Sequence, residues 1–392
     1  MLAYRREDFA ALARRREIAR WAAGGILDGK AAEALRSRFP QPFHSPNLFF
    51  RIGLFVFGLV CASAGLGLFF LMGGAQTGRI GAGFLLVLFG AGCLGLAESL
   101  ARRDPKPFFR AGLEEAACYF GLGCLVSGGM LLAGFKGDPH AGLALGIGAL
   151  LALAAIRYVD GLLAFSALAC AVFAVLDLGR GLGAAGVYLL PPVIIAAAAA
   201  LAWASGRGLK TAACLPWEPV LSLLRLAALL LAYAGGNYFV VRELGGALLG
   251  GSGGNIPFAG MFYAYTFAVP LGYIAWGLRK QDRLCLDAGL AATAAAVLTY
   301  KAYHNVIAIE MGLTLAGLAL LSLSGIALRA LRHPRFGLTS APDKASAGPG
   351  LLDAESLLAW NTFGGQGAQG KAPEGMRGGG GGFGGGGAQG TF

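Results

Sequence analysis

Apolar residues dominate the middle of the chain, where residues 52 to 329 form ten runs of almost unbroken hydrophobic sequence separated by short polar loops. A helix needs about 20 apolar residues to cross roughly 30 Å of hydrocarbon, and most of the runs reach that length. The pattern therefore predicts an all-α fold, a polytopic transmembrane helical bundle of about ten spans. The predicted spans are Ile52–Met72, Ile80–Ala97, Ala116–Phe135, Ala141–Ile156, Gly161–Leu176, Ala184–Trp203, Val220–Val240, Phe258–Leu278, Leu284–Tyr300 and Ile309–Leu328.

The loops between these runs alternate between basic and nearly neutral sequence. With ten spans both termini lie on one side of the membrane, and 26 of the 32 Lys and Arg residues fall on that side, against five on the other and Arg225 within a span. The positive-inside rule then places both termini in the cytoplasm. The two short runs within 141–176 must each cross, because a single crossing would move Arg279 and Lys280 to the outer side.

The composition agrees with a membrane protein and gives no sign of a metal or cofactor. Charged residues make up 14% of the chain, whereas a soluble domain carries about 25%. The net charge of +11 comes from side chains at the ends of apolar runs, so nucleic-acid binding is not predicted. The seven cysteines and four histidines lack metal-ligand spacing. A dinucleotide fingerprint at Gly181, Gly183 and Gly186 follows no strand, so no cofactor is predicted.

Residues 1–45 precede the first span and are predicted to form a cytoplasmic helical hairpin. Asp28 is the expected N-cap of its second helix. So short a unit cannot bury enough surface to be stable alone, and it is expected to pack on a protein partner, on the membrane or on the inner loops of the bundle. Four apolar residues share one face of the first helix: Phe9, Leu12, Ile18 and Trp21.

Residues 46–332 then form the transmembrane bundle, of which Ile52–Met72 is expected to act as an uncleaved signal anchor, and residues 333–392 form a cytoplasmic linker and a Gly-rich tail. Glycine at this density cannot offset its ordering entropy, so the tail is predicted to be disordered. Two interpretations stay open. The tail is either a solvated flexible end, or a segment that a protease, a sorting factor or a partner recognises through Phe383 and Phe392.

Polar side chains cluster near the outer ends of the seventh, ninth and tenth predicted spans, and they are the candidate binding site. The cluster consists of Asn237, Arg242, Glu243, Lys301, His304 and Glu310. One interpretation is interfacial anchoring by lysine and aromatic side chains; the other is a periplasmic or extracellular pocket. In the pocket, a carboxylate at Glu310 would favour the charged form of His304 and make the site responsive to pH.

The other polar or irregular positions of the spans show no recognisable catalytic chemistry. No nucleophile–base pair, paired-carboxylate site or phosphate-binding loop is recognisable, so no catalytic residue is predicted and an enzyme is not expected. Pro191, Pro192 and Pro270 interrupt two spans, and such breaks either kink a helix or line a cavity. Arg225 is expected to extend its side chain to the cytoplasmic interface.

The segment Ile18–Phe39 reads IARWAAGGILDGKAAEALRSRF. Together with the apolar spans that follow, it resembles a family of bacterial multispanning membrane proteins of unknown function that begin with a W-x-x-x-G-x-I/L-D/S hairpin. The matching positions are Trp21, Gly25, Leu27 and Asp28. The tail is similar to Gly-rich endings of several bacterial inner-membrane proteins, although glutamine replaces the serine common there. The resemblance implies a bacterial cytoplasmic (inner) membrane location and no catalytic residues.

Two functions follow as hypotheses. The first is a non-enzymatic integral membrane protein that contacts the lipid bilayer and organises or regulates a protein partner through the N-terminal hairpin or the C-terminal tail. The alternative is a small-molecule transporter of the ten-helix drug/metabolite type, for which Pro191, Pro192, Arg225 and Pro270 would line one central cavity. A membrane-embedded enzyme ranks third, because it rests only on His304 and Glu310.

Overall fold

A computed structural model of the chain describes residues 2–44, 46, 48–72, 78–135, 137, 140–249, 258–303, 318 and 329. This part of the chain is all-helical, with twelve α-helices, one short 3-10 helix at Ala212–Trp217 and no strand. The helices are α1 (Arg6–Ala23), α2 (Gly29–Arg38), α3 (Leu48–Met72), α4 (Arg79–Ala101), α5 (Leu113–Leu132), α6 (Ala141–Tyr158), α7 (Gly161–Gly181), α8 (Gly183–Gly208), α9 (Glu218–Gly236), α10 (Tyr238–Leu249), α11 (Ala259–Lys280) and α12 (Arg283–Tyr303).

Eight segments within the described ranges are long and apolar enough to cross a membrane: α3 to α8, the 3-10 helix together with α9, and α12. The prediction of an integral, multi-pass, all-α membrane protein is confirmed. The eighth predicted span corresponds to α11, which has 22 residues. It is not among these eight segments, because its tyrosines, Thr266 and Pro270 make it less apolar. The tenth predicted span, Ile309–Leu328, lies outside the described residues apart from Leu318.

Successive spans run in opposite directions between two ends of the bundle. We call the end that carries α1 and α2 the hairpin end, and the opposite end the far end. At the hairpin end, the backbone N–H of Ala3 donates to the carbonyl of Arg157 (3.0 Å). At the far end, the Arg79 guanidinium donates to the carbonyl of Phe135 (3.0 Å). The two short predicted runs are separate helices, α6 and α7, joined by a tight turn at the hairpin end.

Glycine pairs let α4 and α5 pack backbone to backbone. A Cβ on Gly90 would lie 2.7 Å from the carbonyl oxygen of Gly121, and a Cβ on Gly121 would lie 2.9 Å from that of Gly90. Gly83 and Gly128 face each other in the same way, at 3.1 and 2.8 Å. Small residues at the interface are what close association of membrane helices requires, because lipid provides no hydrophobic drive to bring helices together.

The seventh predicted span, Val220–Val240, is not one helix, because Asn237 separates α9 from α10. Asn237 is only 2% exposed, and its Oδ1 accepts from the backbone N–H groups of Phe239 (3.0 Å) and Val240 (3.3 Å). The side chain therefore caps the first turn of α10. The apolar sequence continues through this break, which is why hydropathy predicted a single helix.

The N-terminal hairpin, which consists of α1 and α2, packs on the loops of the bundle. Tyr4, Phe9, Phe43 and Phe109 form an aromatic cluster with ring centroids 4.8 to 6.0 Å apart. Phe109 belongs to the loop between α4 and α5, so the cluster joins the hairpin to the bundle. Trp21 was predicted on the same buried face as Phe9, but it lies in the last turn of α1 and is 44% exposed.

The loop before α5 approaches α3 at Gly112, and a substitution can test this contact. Gly112 has φ +99°, and a Cβ there would lie 2.2 Å from the carbonyl oxygen of Arg51. We expect Gly112→Ala to lower the free energy of unfolding by about 1–3 kcal/mol, because the side chain would be both strained and obstructed. The matched control is Gly123→Ala in α5, where no atom lies within 4 Å of the added Cβ. Equal thermal midpoints of the two purified variants would contradict the contact.

Candidate functional site

Of the polar cluster predicted at the outer ends of the spans, Arg242, Glu243 and Lys301 lie at the far end. The Arg242 guanidinium lies 4.8 Å from the centroid of the Tyr303 ring, and the Tyr303 hydroxyl donates to Glu243 (3.1 Å). These contacts bring α10 against the end of α12. Lys301 is half-buried in the last turn of α12. The remaining two candidates, His304 and Glu310, lie outside the described residues.

Asn237, the sixth candidate, is buried within the bundle instead of facing a pocket. Its amide donates to the hydroxyls of Tyr233 (2.8 Å) and Thr299 (3.0 Å). The neighbouring backbone N–H of Tyr238 donates to the fully buried hydroxyl of Thr266 (3.0 Å). Because each of these polar groups has a partner, we assign them to the α9–α10 junction and not to ligand binding.

A different polar site occupies the hairpin end. A cavity of about 250 Å³ lies between the N-terminal segment, the loop before α5, the helices α3 and α5 and the α6–α7 turn. Five charged residues line it: Arg51, Arg110, Glu114, Glu115 and Asp160. Two cations and three carboxylates thus converge on one small space.

Paired charges form the walls of this cavity. Arg51 makes a bidentate ion pair with Glu115, in which Nε donates to Oε2 at 3.0 Å. The Tyr119 hydroxyl donates to Asp160 Oδ2 (2.7 Å), while Asp160 Oδ1 accepts from the N–H of Leu163 and caps α7 (2.9 Å). The helix dipole favours carboxylates at these N-terminal turns, so local helix structure positions the acidic side chains.

Two charged groups of the cavity are left without an ionic partner. Glu114 is 4% exposed; its Oε1 accepts from the N–H of Ala111 (2.7 Å), and its buried Oε2 has no hydrogen-bond partner within the described chain. Arg110 lies beside the Phe109 ring at 5.5 Å, and no described carboxylate lies within ion-pair distance. Arg110 is exposed to solvent at the cavity mouth. Desolvation by the surrounding protein, followed by repulsion from the Arg51 cation, lowers the pKa of the Arg110 guanidinium.

The N-terminal segment closes one side of the cavity. Tyr4 lines it, and burial, followed by the nearby Glu114 carboxylate, raises the pKa of the Tyr4 phenol well above its usual value. The phenol is therefore neutral and can both donate and accept a hydrogen bond. Next to this segment, Glu98 accepts from Arg157 at 2.7 and 3.0 Å and pairs with Arg102 at 2.6 Å. These ion pairs hold the α6–α7 turn in place, where the carbonyl of Arg157 accepts from the backbone N–H of Ala3.

Sequence reasoning missed this cavity for an identifiable reason. Arg51 and Arg110 are explained by membrane orientation alone, and the carboxylates are explained by their places at helix N-termini, so no single residue suggests a site. The available signal was the density of ionisable groups at the start of α5, where Glu114, Glu115 and Tyr119 follow one another within two turns. Only the fold brings Asp160 to them.

No protein-family model, curated protein or solved structure matches this chain. The site must be interpreted from its own chemistry. Within the described ranges, no three His, Cys, Asp or Glu side chains are placed to hold a metal ion. The arrangement can instead hold a small polar group between an acidic wall and an exposed guanidinium.

The role of Asn237 in the helix junction can be tested by its removal. We expect Asn237→Ala to lower the free energy of unfolding by about 1–2 kcal/mol, because the cap of α10 and the bonds to two buried hydroxyls are lost. The control is Ser222→Ala at a half-buried position of α9, where the hydroxyl donates to the carbonyl of Glu218 in its own helix. Denaturant titration in detergent compares the two, and equal stabilities would contradict the assignment.

Proposed function

We propose that this chain is a multi-pass protein of the bacterial cytoplasmic membrane that organises or regulates a protein partner and is not an enzyme. In this proposal both termini are cytoplasmic, and the partner binds the N-terminal hairpin, with the Gly-rich tail as a second contact. The observation that supports this proposal is the packing of the hairpin, which buries one face on the bundle and leaves the other face exposed.

The exposed face of the hairpin has apolar side chains that the bundle does not use. At the turn between α1 and α2, Ile26 is 73% exposed and Trp21 is 44% exposed. The hairpin is anchored elsewhere, through the aromatic cluster and an ion pair between Arg16 and Glu218 (3.8 Å). An exposed aromatic and an aliphatic side chain on an anchored platform are typical of a surface that binds another protein.

The distribution of charge supports the proposed orientation. The loops at the hairpin end contain Arg102, Arg103, Lys106 and Arg110 after α4, and Arg279, Lys280 and Arg283 around the α11–α12 turn. The far end has fewer Lys and Arg among the described residues, namely Arg79, Arg180, Arg242 and Lys301. A basic hairpin end is the cytoplasmic end under the positive-inside rule. The resemblance of the hairpin motif to bacterial multispanning proteins supports the same location.

Small-molecule transport is a second candidate, favoured by the interruption of a predicted span at Asn237. Discontinuous helices with buried polar groups form binding sites in many transporters. Against it, Pro191 lines an apolar cavity of about 160 Å³ between α7 and α10, whereas Arg225 pairs with Asp282 at the hairpin end. The residues expected to share one central cavity therefore lie in different environments, and Pro192 is on the outer surface.

The orientation predicts the side on which reporter fusions will lie. Fusions after Lys136, Arg180, Gly251 and Lys301 should report the outer side, and fusions after Lys210 and Lys280 should report the cytoplasm, because ten spans with cytoplasmic termini place these loops alternately. Alkaline phosphatase and fluorescent protein fusions measure both sides independently. A translocated fusion at Lys280 would overturn the proposed topology.

The partner role predicts the effect of changing the exposed hairpin face. We expect the double variant Trp21→Ala, Ile26→Ala to lose a protein that co-purifies with the full-length chain from membranes, since both side chains are available for contact. Its thermal midpoint should stay close to wild type, because exposed substitutions usually change stability by less than about 0.5 kcal/mol.

The matched control is Lys30→Ala, an exposed position on α2, which should retain the partner. Quantitative mass spectrometry of crosslinked, affinity-purified samples provides the comparison. If the double variant and wild type retain the same proteins in the same amounts, the exposed face of the hairpin does not bind a partner.

A further inference from the structure

The cavity at the hairpin end contains a buried acceptor that the protein leaves unused. Glu114 is 4% exposed, and its Oε2 has no donor among the described residues. Buried polar groups in proteins are almost always hydrogen-bonded, and leaving one unpaired costs about 1–3 kcal/mol, more if the group is charged. A water molecule or a ligand that enters the cavity can supply a donor to this oxygen.

The other carboxylates of the cavity do not have the same need. Glu115 is engaged by Arg51 through two hydrogen bonds, and Asp160 is engaged by Tyr119 and by the N-terminus of α7. Glu114 differs from both because its only bond within the described chain is to the N–H of Ala111. The cavity thus has one specific position for a donor.

Arg110 provides the complementary position. Its guanidinium lines the cavity, is packed on Phe109 and has no described carboxylate within ion-pair distance. Guanidinium groups bind carboxylates and phosphates with two parallel hydrogen bonds. An anionic group in the cavity would find this cation available, with the neutral Tyr4 hydroxyl beside it.

The balance of charge favours a ligand that carries both charges. Arg51 and Glu115 neutralise each other, so a free anion would still face Glu114 and Asp160, and a free cation would still face Arg110. A molecule that carries both charges satisfies both walls, and about 250 Å³ admits one of amino-acid size. We infer that the cavity binds a small zwitterion, whose ammonium group donates to Glu114 Oε2 and whose anionic group accepts from Arg110.

This chemistry has two sources. One is a soluble zwitterion from the aqueous phase. The other is the headgroup of phosphatidylethanolamine, because the cavity lies where α3, α5 and α7 begin, at the level of the membrane interface. An apolar groove of about 440 Å³ between α3, α4 and α5 includes Leu113, the residue before Glu114, and is suited to an acyl chain. The site does not depend on the proposed partner role of the hairpin.

The test uses the full-length, delipidated protein in detergent, with O-phosphoethanolamine as the soluble probe in isothermal titration calorimetry. We expect saturable binding. Ethanolamine lacks the anion, inorganic phosphate lacks the ammonium group, and phosphocholine lacks the N–H donors. Each of the three should bind more weakly by about tenfold or more.

Variants separate the site from non-specific binding. Glu114→Gln keeps an acceptor for Ala111 but removes the charge, and should weaken O-phosphoethanolamine binding by about tenfold or more. Arg110→Gln lies outside the helices and serves as the second variant if Glu114→Gln does not fold. Glu17→Gln, an exposed position on α1 with the same loss of charge, should leave binding unchanged.

A lipid arm identifies the source. Phosphatidylethanolamine that competes with O-phosphoethanolamine and is retained in native mass spectrometry, while phosphatidylcholine is not, assigns the site to the lipid headgroup. Binding of the soluble probe without lipid competition assigns it to the aqueous zwitterion. The inference is overturned if neither probe saturates, if ethanolamine or phosphate alone binds as well, or if Glu114→Gln and Arg110→Gln bind like Glu17→Gln.

Discussion

Lipid cannot hydrogen-bond a peptide group, and the whole structure follows from that constraint. The apolar runs within the described residues are helical because only a helix pairs its backbone groups within one segment. Most charged side chains lie near the ends of the long helices, where water or a partner is within reach, and Arg225 within α9 pairs with Asp282. Where a helix stops inside the bundle, a side chain must replace the missing partner, and Asn237 does this at the start of α10.

The same constraint explains the ion pairs at the hairpin end. Arg51 pairs with Glu115, Arg157 with Glu98 and Arg225 with Asp282, and each pair joins residues 57 to 64 positions apart. Such partly buried pairs add little net stability, because desolvation offsets much of their attraction. Breaking one would leave a charge uncompensated near the membrane, so the pairs restrict which spans can lie side by side.

At the hairpin end, the N-terminal segment packs on the loops of the bundle and covers them. The aromatic cluster around Tyr4 and Phe109 buries apolar surface that a hairpin of this size cannot bury within itself. The hairpin therefore depends on the bundle for its structure, while its turn stays accessible. The docking also encloses one side of the polar cavity, so the hairpin and the cavity are parts of one assembly.

The sequence by itself determined the helical class, the alternating direction of the spans and the division of residues 141–176 into two helices, because hydropathy and charge at span ends are local quantities. Only the tertiary structure decided the break at Asn237, since the apolar pattern runs on through it and its partner Thr299 lies 62 positions away. The cavity also required the fold: Arg51, Glu114 and Asp160 come from three separate segments. Arg51 has a sufficient local explanation as an orientation signal, and Glu114 and Asp160 have one as carboxylates at helix N-termini. Their meeting depends on helix packing that hydrophobic patterning leaves undetermined.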